Sequence, residues 1–219
     1  MMFEVELQYV YRGDGPLVIP VELASLTLAT SERFDVVDSY FDTKQLDLRR
    51  AGCSLRVRQS GNEPLPILSV KGPSKPDAKR GHNGKKRREI EAPVESIPQE
   101  PDELAEVLRQ VELLDVVRAA AGLADDAVLC HIGLIRNDRS THRYVNGMHE
   151  LELTWDRLEY PVGPGQTRVE LEVKWEHAER ALARADAELR ELFGDDLVQA
   201  ERGKVRELCE RLYPELVSA

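Results

Sequence analysis

The chain has 219 residues, of which 42% are hydrophobic and 32% charged, so it can build at least one domain with a sizeable core. It carries 30 Lys and Arg residues against 40 Asp and Glu, a formal net charge of −10. This balance argues against a general nucleic-acid binder and against a basic protein of a membrane surface. An anionic ligand would therefore have to be met by a local cluster of basic side chains.

Alternation of apolar and polar residues predicts about eight strands. They cover residues 3–11, 34–42, 53–59, 65–71, 87–92, 128–145, 149–157 and 167–174. Apolar residues at helical spacing predict helices over 104–111, 178–189 and 205–212, and a weaker pattern suggests another over 21–30. The Gly-, Pro- and Lys/Arg-rich run 72–88 predicts a mobile basic loop between two strands. We expect a single domain over 1–219, with 93–102 as the alternative boundary because it holds three prolines.

The cysteines and the apolar runs bear on the cell compartment. Cys53, Cys130 and Cys209 are odd in number, far apart and lack a C-x-x-C pair, so neither a disulfide framework nor a zinc site is predicted. The start "MMFEVELQ" is not of the secretory type, and no run approaches the roughly 20 apolar residues of a membrane span. We expect a soluble cytoplasmic protein with reduced thiols.

One face of the predicted strands is densely charged. Its members are Glu4, Glu6, Gln8, Arg56, Arg58, Ser69, Lys71, Arg87, Glu89, Glu91, Glu150, Glu152, Thr154, Asp156, Glu170, Glu172 and Lys174. Alternation by itself would equally fit an ordinary sheet with its polar face in water. However, E-x-E recurs four times, and two like charges about 7 Å apart on one strand face repel by about 2 kcal/mol at an effective dielectric near 20. Cations and a polyanion would relieve this repulsion.

Closing about eight antiparallel strands into a barrel would give the charged face a lumen and leave the apolar face to be covered by the amphipathic helices. Carboxylates bind hard metal ions, and arginines bind phosphate oxygens. Both together on inward faces suit a polyphosphate complexed with Mg²⁺ or Mn²⁺. The sequence therefore predicts an α+β fold, an eight-stranded antiparallel β-barrel tunnel with helices on its outer surface.

Several motifs, taken in order, resemble the CYTH family, also called triphosphate tunnel metalloenzymes. The most specific is "SYFDTKQLDLRRAGCSLRVR" at 39–58. It is joined by E-x-E at Glu4 and Glu6, "SVKGP" at 69–73, R-x-E-x-E at 87–91, "IRNDRSTHR" at 135–143, "LELTWDRLEYP" at 151–161 and E-L-E at 170–172. The resemblance covers nearly the whole chain. It implies a tunnel for a linear triphosphate and one or two divalent metal ions.

The resemblance also implies roles for individual residues. The expected metal-side carboxylates are Glu4, Glu6, Glu89, Glu91, Asp156, Glu170 and Glu172. The expected substrate-binding cations are Arg56, Arg58, Lys71, Arg87, Arg136, Arg139 and Arg143. Of these, Glu4, Glu6, Arg56, Arg58, Lys71, Arg87 and Arg139 are the expected catalytic residues. Phosphoryl transfer requires charge neutralisation and a positioned water rather than a protein nucleophile.

The chain departs from the family pattern at two positions. Gln8 stands where the first motif has a lysine, and Asn137 stands where the basic strand often has one, with Arg136 as its expected substitute. Because an amide cannot supply a positive charge, we expect Gln8→Lys to raise kcat.

Three functions remain open from the sequence. The chain could hydrolyse inorganic triphosphate or a small organic triphosphate, with Mg²⁺ or Mn²⁺ as cofactor. It could instead be a class IV adenylate cyclase that makes cyclic AMP and pyrophosphate from ATP. A third alternative is a non-catalytic module that binds polyphosphate or nucleotide. The expected partner is a small-molecule triphosphate or polyphosphate, without nucleic acid or membrane, and a homodimer is left open.

Overall fold

In the described part of the chain, ten strands form one antiparallel sheet. The computed structural model of the chain describes residues 5–15, 17–73, 89–173 and 179–217. The strands are β1 (Val5–Tyr11), β2 (Glu22–Leu23), β3 (Leu26–Asp42), β4 (Ser54–Ser60), β5 (Ile67–Lys71), β6 (Glu89–Pro93), β7 (Cys130–Asn146), β8 (His149–Glu159), β9 (Gln166–Val173) and β10 (Leu197–Gln199). Their order across the sheet is β10-β1-β9-β8-β7-β3-β4-β5-β6, with β2 beside β3.

The predicted α+β fold is confirmed, with two differences. Across the described residues, the sheet has ten strands rather than eight, because the short strands β2 and β10 were not predicted. Within the described ranges, the edge strands β6 and β10 are not joined by hydrogen bonds, so the sheet is not closed as a fully paired barrel. Its concave face nevertheless surrounds a central cavity that is lined by side chains from both halves of the sheet.

The helix suggested over 21–30 is wrong. This segment instead forms the β2–β3 hairpin, with Glu22 opposite Thr27 and Leu23 opposite Leu26. The two turn residues, Ala24 and Ser25, both have positive φ, at 54° and 65°. Tight hairpin turns with two positive φ values usually contain Asn or Gly. The sequence therefore gave no local signal for this hairpin.

The helices are α1 (Asp47–Arg50), α2 (Pro101–Gln110), α3 (Leu114–Ala121), α4 (Glu179–Phe193), α5 (Lys204–Leu212) and α6 (Pro214–Val217). A capping box between Glu100 and Glu103, together with Pro101, fixes the start of α2. Two apolar cores cover the outer face of the sheet. One packs α4 against β1, β8 and β9, and the other packs α2 and α3 against β4 and β5.

Helix α5 differs from the other long helices because it packs on the concave face. Its Leu208 and Cys209 join Tyr40, Ile135 and Leu158, strand residues that lie on the same side of the sheet as the cavity. Gly133 permits this approach, because a Cβ at this position would lie 2.7 Å from a methyl carbon of Leu212. Helix α5 therefore covers one end of the cavity. The predicted helices on the outer surface are confirmed for α2, α3 and α4, and the inward packing of α5 is an addition that the sequence did not predict.

Two further predictions concern the basic loop and membrane-spanning segments. Of the predicted basic loop 72–88, only Gly72 and Pro73 lie within the described residues. No helix in the described part of the chain has the length and apolar character needed to cross a membrane.

Candidate active site

The concave face of the sheet holds a polar cavity of about 510 Å³. Its charged lining residues are Glu6, Arg56, Arg58, Lys71, Glu89, Glu91, Arg139, Glu152, Glu170, Glu172 and Lys204. Gln8, Tyr40, Ser54, Ser69 and Thr154 also line it. Strand alternation places all of these side chains except Lys204 on one face, since successive residues of a strand point to opposite sides, whereas Lys204 comes from α5.

The first side of the cavity, formed by β1, β9 and β8, is called here the acidic wall. Glu172 lies directly opposite Glu6 on one neighbouring strand and opposite Glu152 on the other. The next row along the same strands has Glu170 between Gln8 and Thr154. Side chains opposite one another on adjacent strands have Cβ atoms about 5 Å apart, and like charges in this position destabilise a sheet. The register therefore sets three like charges, those of Glu6, Glu172 and Glu152, side by side on this wall.

The opposite side, formed by β3, β4, β5 and β6, is called here the basic wall. Arg56, Arg58 and Lys71 supply its positive charge. Arg58 donates two hydrogen bonds of 2.7 and 2.8 Å to Asp38, whose side chain is buried beneath it. Burial raises the pKa of Asp38, but Arg58 and Arg56 outweigh this effect and hold the pKa well below its usual value. Asp38 therefore stays ionised and fixes the guanidinium of Arg58.

The carboxylates of the basic wall are held by its own donors. The Nζ atom of Lys71 lies 3.0 Å from Glu89 Oε2, and a guanidinium nitrogen of Arg56 lies 4.0 Å from the other oxygen of the same carboxylate. Glu91 accepts a hydrogen bond of 3.1 Å from Ser69. These contacts tie the two glutamates to the donors of the basic wall.

A buried ion-pair network of β7, β8, β9 and α5 residues lies between the two walls at the end near α5. Asp156 is completely buried and accepts two hydrogen bonds from Arg139, at 2.7 and 2.8 Å, and one of 2.7 Å from Asn137. Lys204 of α5 forms an ion pair with Asp156 and lies 3.0 Å from Glu170. Burial raises the pKa of Asp156, whereas Lys204 and Arg139 lower it more strongly, so this carboxyl remains ionised.

Glu170 has the same kind of environment. Besides Lys204, it accepts a 3.2 Å hydrogen bond from the amide of Gln8, and a guanidinium nitrogen of Arg139 lies 3.7 Å away. Burial raises the pKa of Glu170, but Lys204 and Arg139 lower it further than burial raises it. Glu170 is thus an ionised carboxylate that is shared among three donors.

Most of the predicted site residues do come together. Those that line the cavity are Glu6, Arg56, Arg58, Lys71, Glu89, Glu91, Arg139, Glu170 and Glu172. Asp156 is enclosed by Arg139, Lys204 and Asn137, which places it behind the cavity surface rather than on it. Glu4 and Arg87 lie outside the described residues.

Two predicted cations lie elsewhere. Arg136 is exposed, and its neighbours Ile135 and Asn137 are buried, which puts its side chain on the opposite side of β7 from Arg139. Its expected role as substitute for the family lysine is therefore wrong. Arg143 lies on the same face as Arg139 but is 51% exposed and forms an ion pair with Glu150, away from the cavity lining. The structure thus does not support substrate binding by either side chain.

Three site residues were missed. Glu152 was recognised as a member of the charged face but not as part of the site, although its register opposite Glu172 places it there. Asp38 stands in the apolar strand "FDVVDSYFD", where an interior charge could have signalled a buried partner for an arginine. No local signal could have identified Lys204, because its helix approaches the cavity only through tertiary packing.

The oxygen atoms of the acidic wall are possible ligands of a divalent cation. Within the described ranges, no three His, Cys, Asp or Glu side chains converge in metal-binding geometry. However, Mg²⁺ commonly uses only one or two protein carboxylates and completes its shell with water and substrate phosphate oxygens. The Glu6, Glu172 and Glu152 row offers such carboxylates. Gln8 Oε1, a buried oxygen without a hydrogen-bond donor among the described residues, lies beside it. The chemistry of the acidic wall thus fits a divalent cation.

Solved structures with similar folds extend this description. The chain is similar to HpAC1 from Hippeastrum, a candidate adenylyl cyclase described as revealing a dominant triphosphatase activity. The identity is 21%, with 98% of each chain covered and a TM-score of 0.67. A candidate adenylate cyclase from Bacillus halodurans matches at 19% identity over 80% of this chain and 82% of the other, with a TM-score of 0.52. The PH1819 protein of Pyrococcus horikoshii matches at 19% identity over 94% and 98%, also with a TM-score of 0.52.

At these identities, the structural matches establish the fold alone. No curated protein matches the chain. The model of the CYTH domain family matches residues 2–203, which is most of the 219 residues. This match agrees with an antiparallel sheet whose concave face carries opposed rows of carboxylates and cations. The chain therefore belongs to the CYTH domain family.

Proposed function

We propose that this chain is a metal-dependent triphosphatase that hydrolyses inorganic triphosphate or a small organic triphosphate. The observation that carries this proposal is the opposition of an acidic wall and a basic wall across one cavity of about 510 Å³. A metal-complexed polyphosphate is a ligand that satisfies both walls at once, since its oxygens can meet guanidinium groups on one side and a cation on the other.

In this proposal the cations hold the substrate. Arg56, Arg58 and Lys71 of the basic wall donate to phosphate oxygens from one side, and Arg139 and Lys204 do so from the end near α5. Asp38 and Asp156 are buried partners that fix Arg58 and Arg139 in place. Arg87, predicted for the same role, lies outside the described residues.

Glu6, Glu152 and Glu172 would hold Mg²⁺ or Mn²⁺, with Glu4 as a further expected ligand outside the described residues. When bound, the metal ion would neutralise phosphate charge. Glu170 and Asp156 are engaged by Lys204, Arg139 and Gln8, so we assign them to orienting these groups rather than to binding metal. The two carboxylates of the basic wall, Glu89 and Glu91, similarly position its donors.

The reaction is a substitution at a terminal phosphorus by water. A bond forms between the water oxygen and phosphorus, and the bond from phosphorus to the bridging oxygen breaks. The water proton is released to phosphate oxygen or solvent, and the leaving diphosphate oxygen takes the electron pair. The arginines and lysines of the cavity stabilise the charge that develops on these oxygens, which is the main catalytic requirement of such a reaction.

The aromatic content of the cavity favours hydrolysis over cyclisation. Among the described lining residues, Tyr40 is the only aromatic side chain. Recognition of an adenine base usually uses an apolar or aromatic surface with a few placed polar groups. Of the 18 described lining residues, 11 are instead charged, which suits phosphate rather than a base.

A substrate panel tests the proposal. Purified protein is incubated with inorganic triphosphate, thiamine triphosphate, ATP or pyrophosphate in Mg²⁺, Mn²⁺ or chelator, and phosphate and cyclic AMP are measured. We expect phosphate release from a triphosphate, dependent on metal and abolished by chelator. Formation of cyclic AMP as the main product would replace the proposal with a cyclase. Tight triphosphate binding in calorimetry without turnover would replace it with a binding module.

The remaining expectations stay predictions. These are a single domain over residues 1–219, a cytoplasmic location, the identity of the metal ion and the homodimer that the sequence left open.

A further inference from the structure

A second, smaller cavity lies on the outer side of the sheet and is called here the outer pocket. Its volume is about 300 Å³, and among the described residues it shares no lining side chain with the cavity of the concave face. Residues of β3, β7 and β8 form its base, where Ser140 lies opposite Arg33 on one side and Trp155 on the other. Leu17 and Ile19, from the chain between β1 and β2, also line it.

The outer pocket lies where the helices leave the sheet uncovered. Helix α4 covers β1, β8 and β9, while α2 and α3 cover β4 and β5. The described lining contains no residue of these three helices. Gaps between packed elements are common places for small-molecule sites, and a volume of about 300 Å³ is at the lower end of the range for such sites. The size therefore suits a small ligand.

The apolar part of the outer pocket is held rigidly. Trp155 is 2% exposed, and its ring is fixed edge-on by Tyr11 and Phe193, with centroid distances of 5.7 and 5.2 Å. Leu17 and Ile19 pack against the same core. The indole N–H of Trp155 has no acceptor among the described residues. Trp155 thus gives the pocket an ordered apolar surface together with an unused hydrogen-bond donor.

A second buried side chain of the outer pocket also has an unused polar atom. His142 is 7% exposed, and its Nδ1 atom lies 2.9 Å from the hydroxyl oxygen of Ser31. Its Nε2 atom has no partner in the described part of the chain. Burial lowers the pKa of His142, so the imidazole is neutral at pH 7 and Nε2 is a donor or an acceptor according to the tautomer. Buried polar atoms normally have partners, so two such nitrogens in one pocket point to a ligand with polar atoms.

The charges of the outer pocket fit a ligand with one negative charge. Arg33 donates a 2.7 Å hydrogen bond from Nε to Asp138, and a second one from its terminal nitrogen, so its guanidinium is committed to this carboxylate. Arg157 lies farther away, 3.9 Å from Asp138, and is 61% exposed. Its guanidinium can therefore turn to a ligand, and it matches the two oxygens of a carboxylate. Asp138 and Asp35, which lie opposite each other, would repel a polyanion.

We propose that the outer pocket binds a small organic carboxylate with an apolar or aromatic body. The carboxylate accepts hydrogen bonds from Arg157 and from the hydroxyl of Ser140, and the body packs on Trp155, Leu17 and Ile19. This inference is independent of the proposed triphosphatase function, because the two cavities have no described lining residue in common.

Calorimetry with defined small molecules tests the site. The full chain is titrated in chelator with phenylacetate, indole-3-acetate and hexanoate, and with the neutral amide of each. We expect saturable one-to-one binding of at least one carboxylate, with a Kd at or below about 1 mM. The matching amide should bind at least tenfold more weakly, because it lacks the charge that pairs with Arg157.

Variants assign the binding to the outer pocket. Arg157→Gln should raise the Kd at least tenfold, and Ser140→Leu should abolish binding because it fills the base of the pocket and removes the hydroxyl. Arg109→Gln is the matched control, since Arg109 is 57% exposed and also pairs with one carboxylate, that of Glu106. Arg56→Ala, in the cavity of the concave face, should leave the Kd for the carboxylate unchanged. Circular dichroism melting shows that each compared chain is folded.

A spectroscopic measurement reports on the pocket directly. The chain has two tryptophans, Trp155 and Trp175, and the Trp175→Phe variant assigns the indole N–H resonance of Trp155. Added carboxylate should shift this resonance in the wild type but not in Ser140→Leu. Absence of saturable binding up to about 10 mM of every carboxylate would overturn the proposal. An unchanged Kd in Arg157→Gln, or a loss of binding in Arg56→Ala, would overturn it equally.

Discussion

The two walls of the cavity differ in how their charged side chains are paired. On the basic wall each arginine or lysine has an acidic neighbour, as in the pairs Arg58 with Asp38 and Lys71 with Glu89. On the acidic wall, Glu6, Glu172 and Glu152 stand opposite one another in register. Internal pairs thus balance the basic wall, whereas the row of the acidic wall gathers like charges. The basic wall therefore holds its charged side chains in fixed pairs, while the register of the acidic wall sets three carboxylates side by side, the arrangement that the proposed metal ion would use.

The largest expected effect follows from breaking the junction between the walls at Asp156. Asp156→Asn removes the completely buried carboxylate that pairs with both Arg139 and Lys204, and leaves them only Glu170, among the described residues, as a shared counter-charge. Removing one partner of a buried ion pair typically costs about 3–5 kcal/mol, so we expect this loss of unfolding free energy together with loss of activity. Urea denaturation measures it. Glu106→Gln breaks the exposed pair with Arg109 and is the control, with an expected change of at most about 0.5 kcal/mol.

On the acidic wall, a substitution is expected to lower metal-dependent activity without lowering the stability of the metal-free chain. Glu172→Gln removes the central carboxylate of the row, so we expect metal-dependent activity to fall about 100-fold. Because the substitution also relieves repulsion with Glu6 and Glu152, the metal-free variant should melt no lower than wild type. Steady-state rates across a Mg²⁺ titration and a melting curve in chelator measure both. A fully active variant would remove Glu172 from the metal site.

On the basic wall, the expected effect is on affinity. Arg56→Ala removes one charge-assisted contact to phosphate, which is worth about 1.5–3 kcal/mol, so the Kd for triphosphate should rise at least tenfold. Calorimetry in chelator measures the affinity of the basic wall for triphosphate without the metal ion. Arg33→Ala is the matched control, because Arg33 is exposed and pairs with Asp138 on the outer side of the sheet. Equal affinities of wild type and Arg56→Ala would refute phosphate binding by this wall.

The smallest effect concerns pH. The pKa values of Asp156 and Glu170 are lowered in the folded chain, so their ionised forms stabilise it above about pH 4, where the same groups ionise in the unfolded chain. This stabilisation is lost as the pH falls through the lowered folded values. Lys204→Met removes a cation that lowers the pKa values of Asp156 and Glu170. The variant should therefore be less stable than wild type by about 1 kcal/mol at pH 7. The difference should shrink below pH 4 in urea denaturation at each pH. A constant difference would contradict the ion-pair assignment.

Much of the fold could be predicted because alternation is a local property. The predicted strands over 53–59 and 65–71 correspond to Ser54–Ser60 and Ile67–Lys71, within two residues at each end. The predicted helix over 205–212 corresponds to Lys204–Leu212. The hairpin at Ala24 and Ser25 could not be predicted, because residues without a preference for positive φ adopt it only when the surrounding sheet holds them there.

The sequence by itself determined which side chains share a face, because a strand has a period of two and each motif lies within one strand. This was sufficient to place Glu6, Arg56, Arg58, Glu170 and Glu172 together. Only the tertiary structure decided which of these charges neutralise one another, because the pairs Arg58 with Asp38 and Arg139 with Asp156 depend on strand register. It also decided that α5 packs inside rather than outside. The amphipathic pattern of α5 shows that the helix has an apolar face. The side of the sheet against which this face packs depends on Gly133 and on Arg168, a donor to Glu207 of α5, and both are distant from α5 in the sequence.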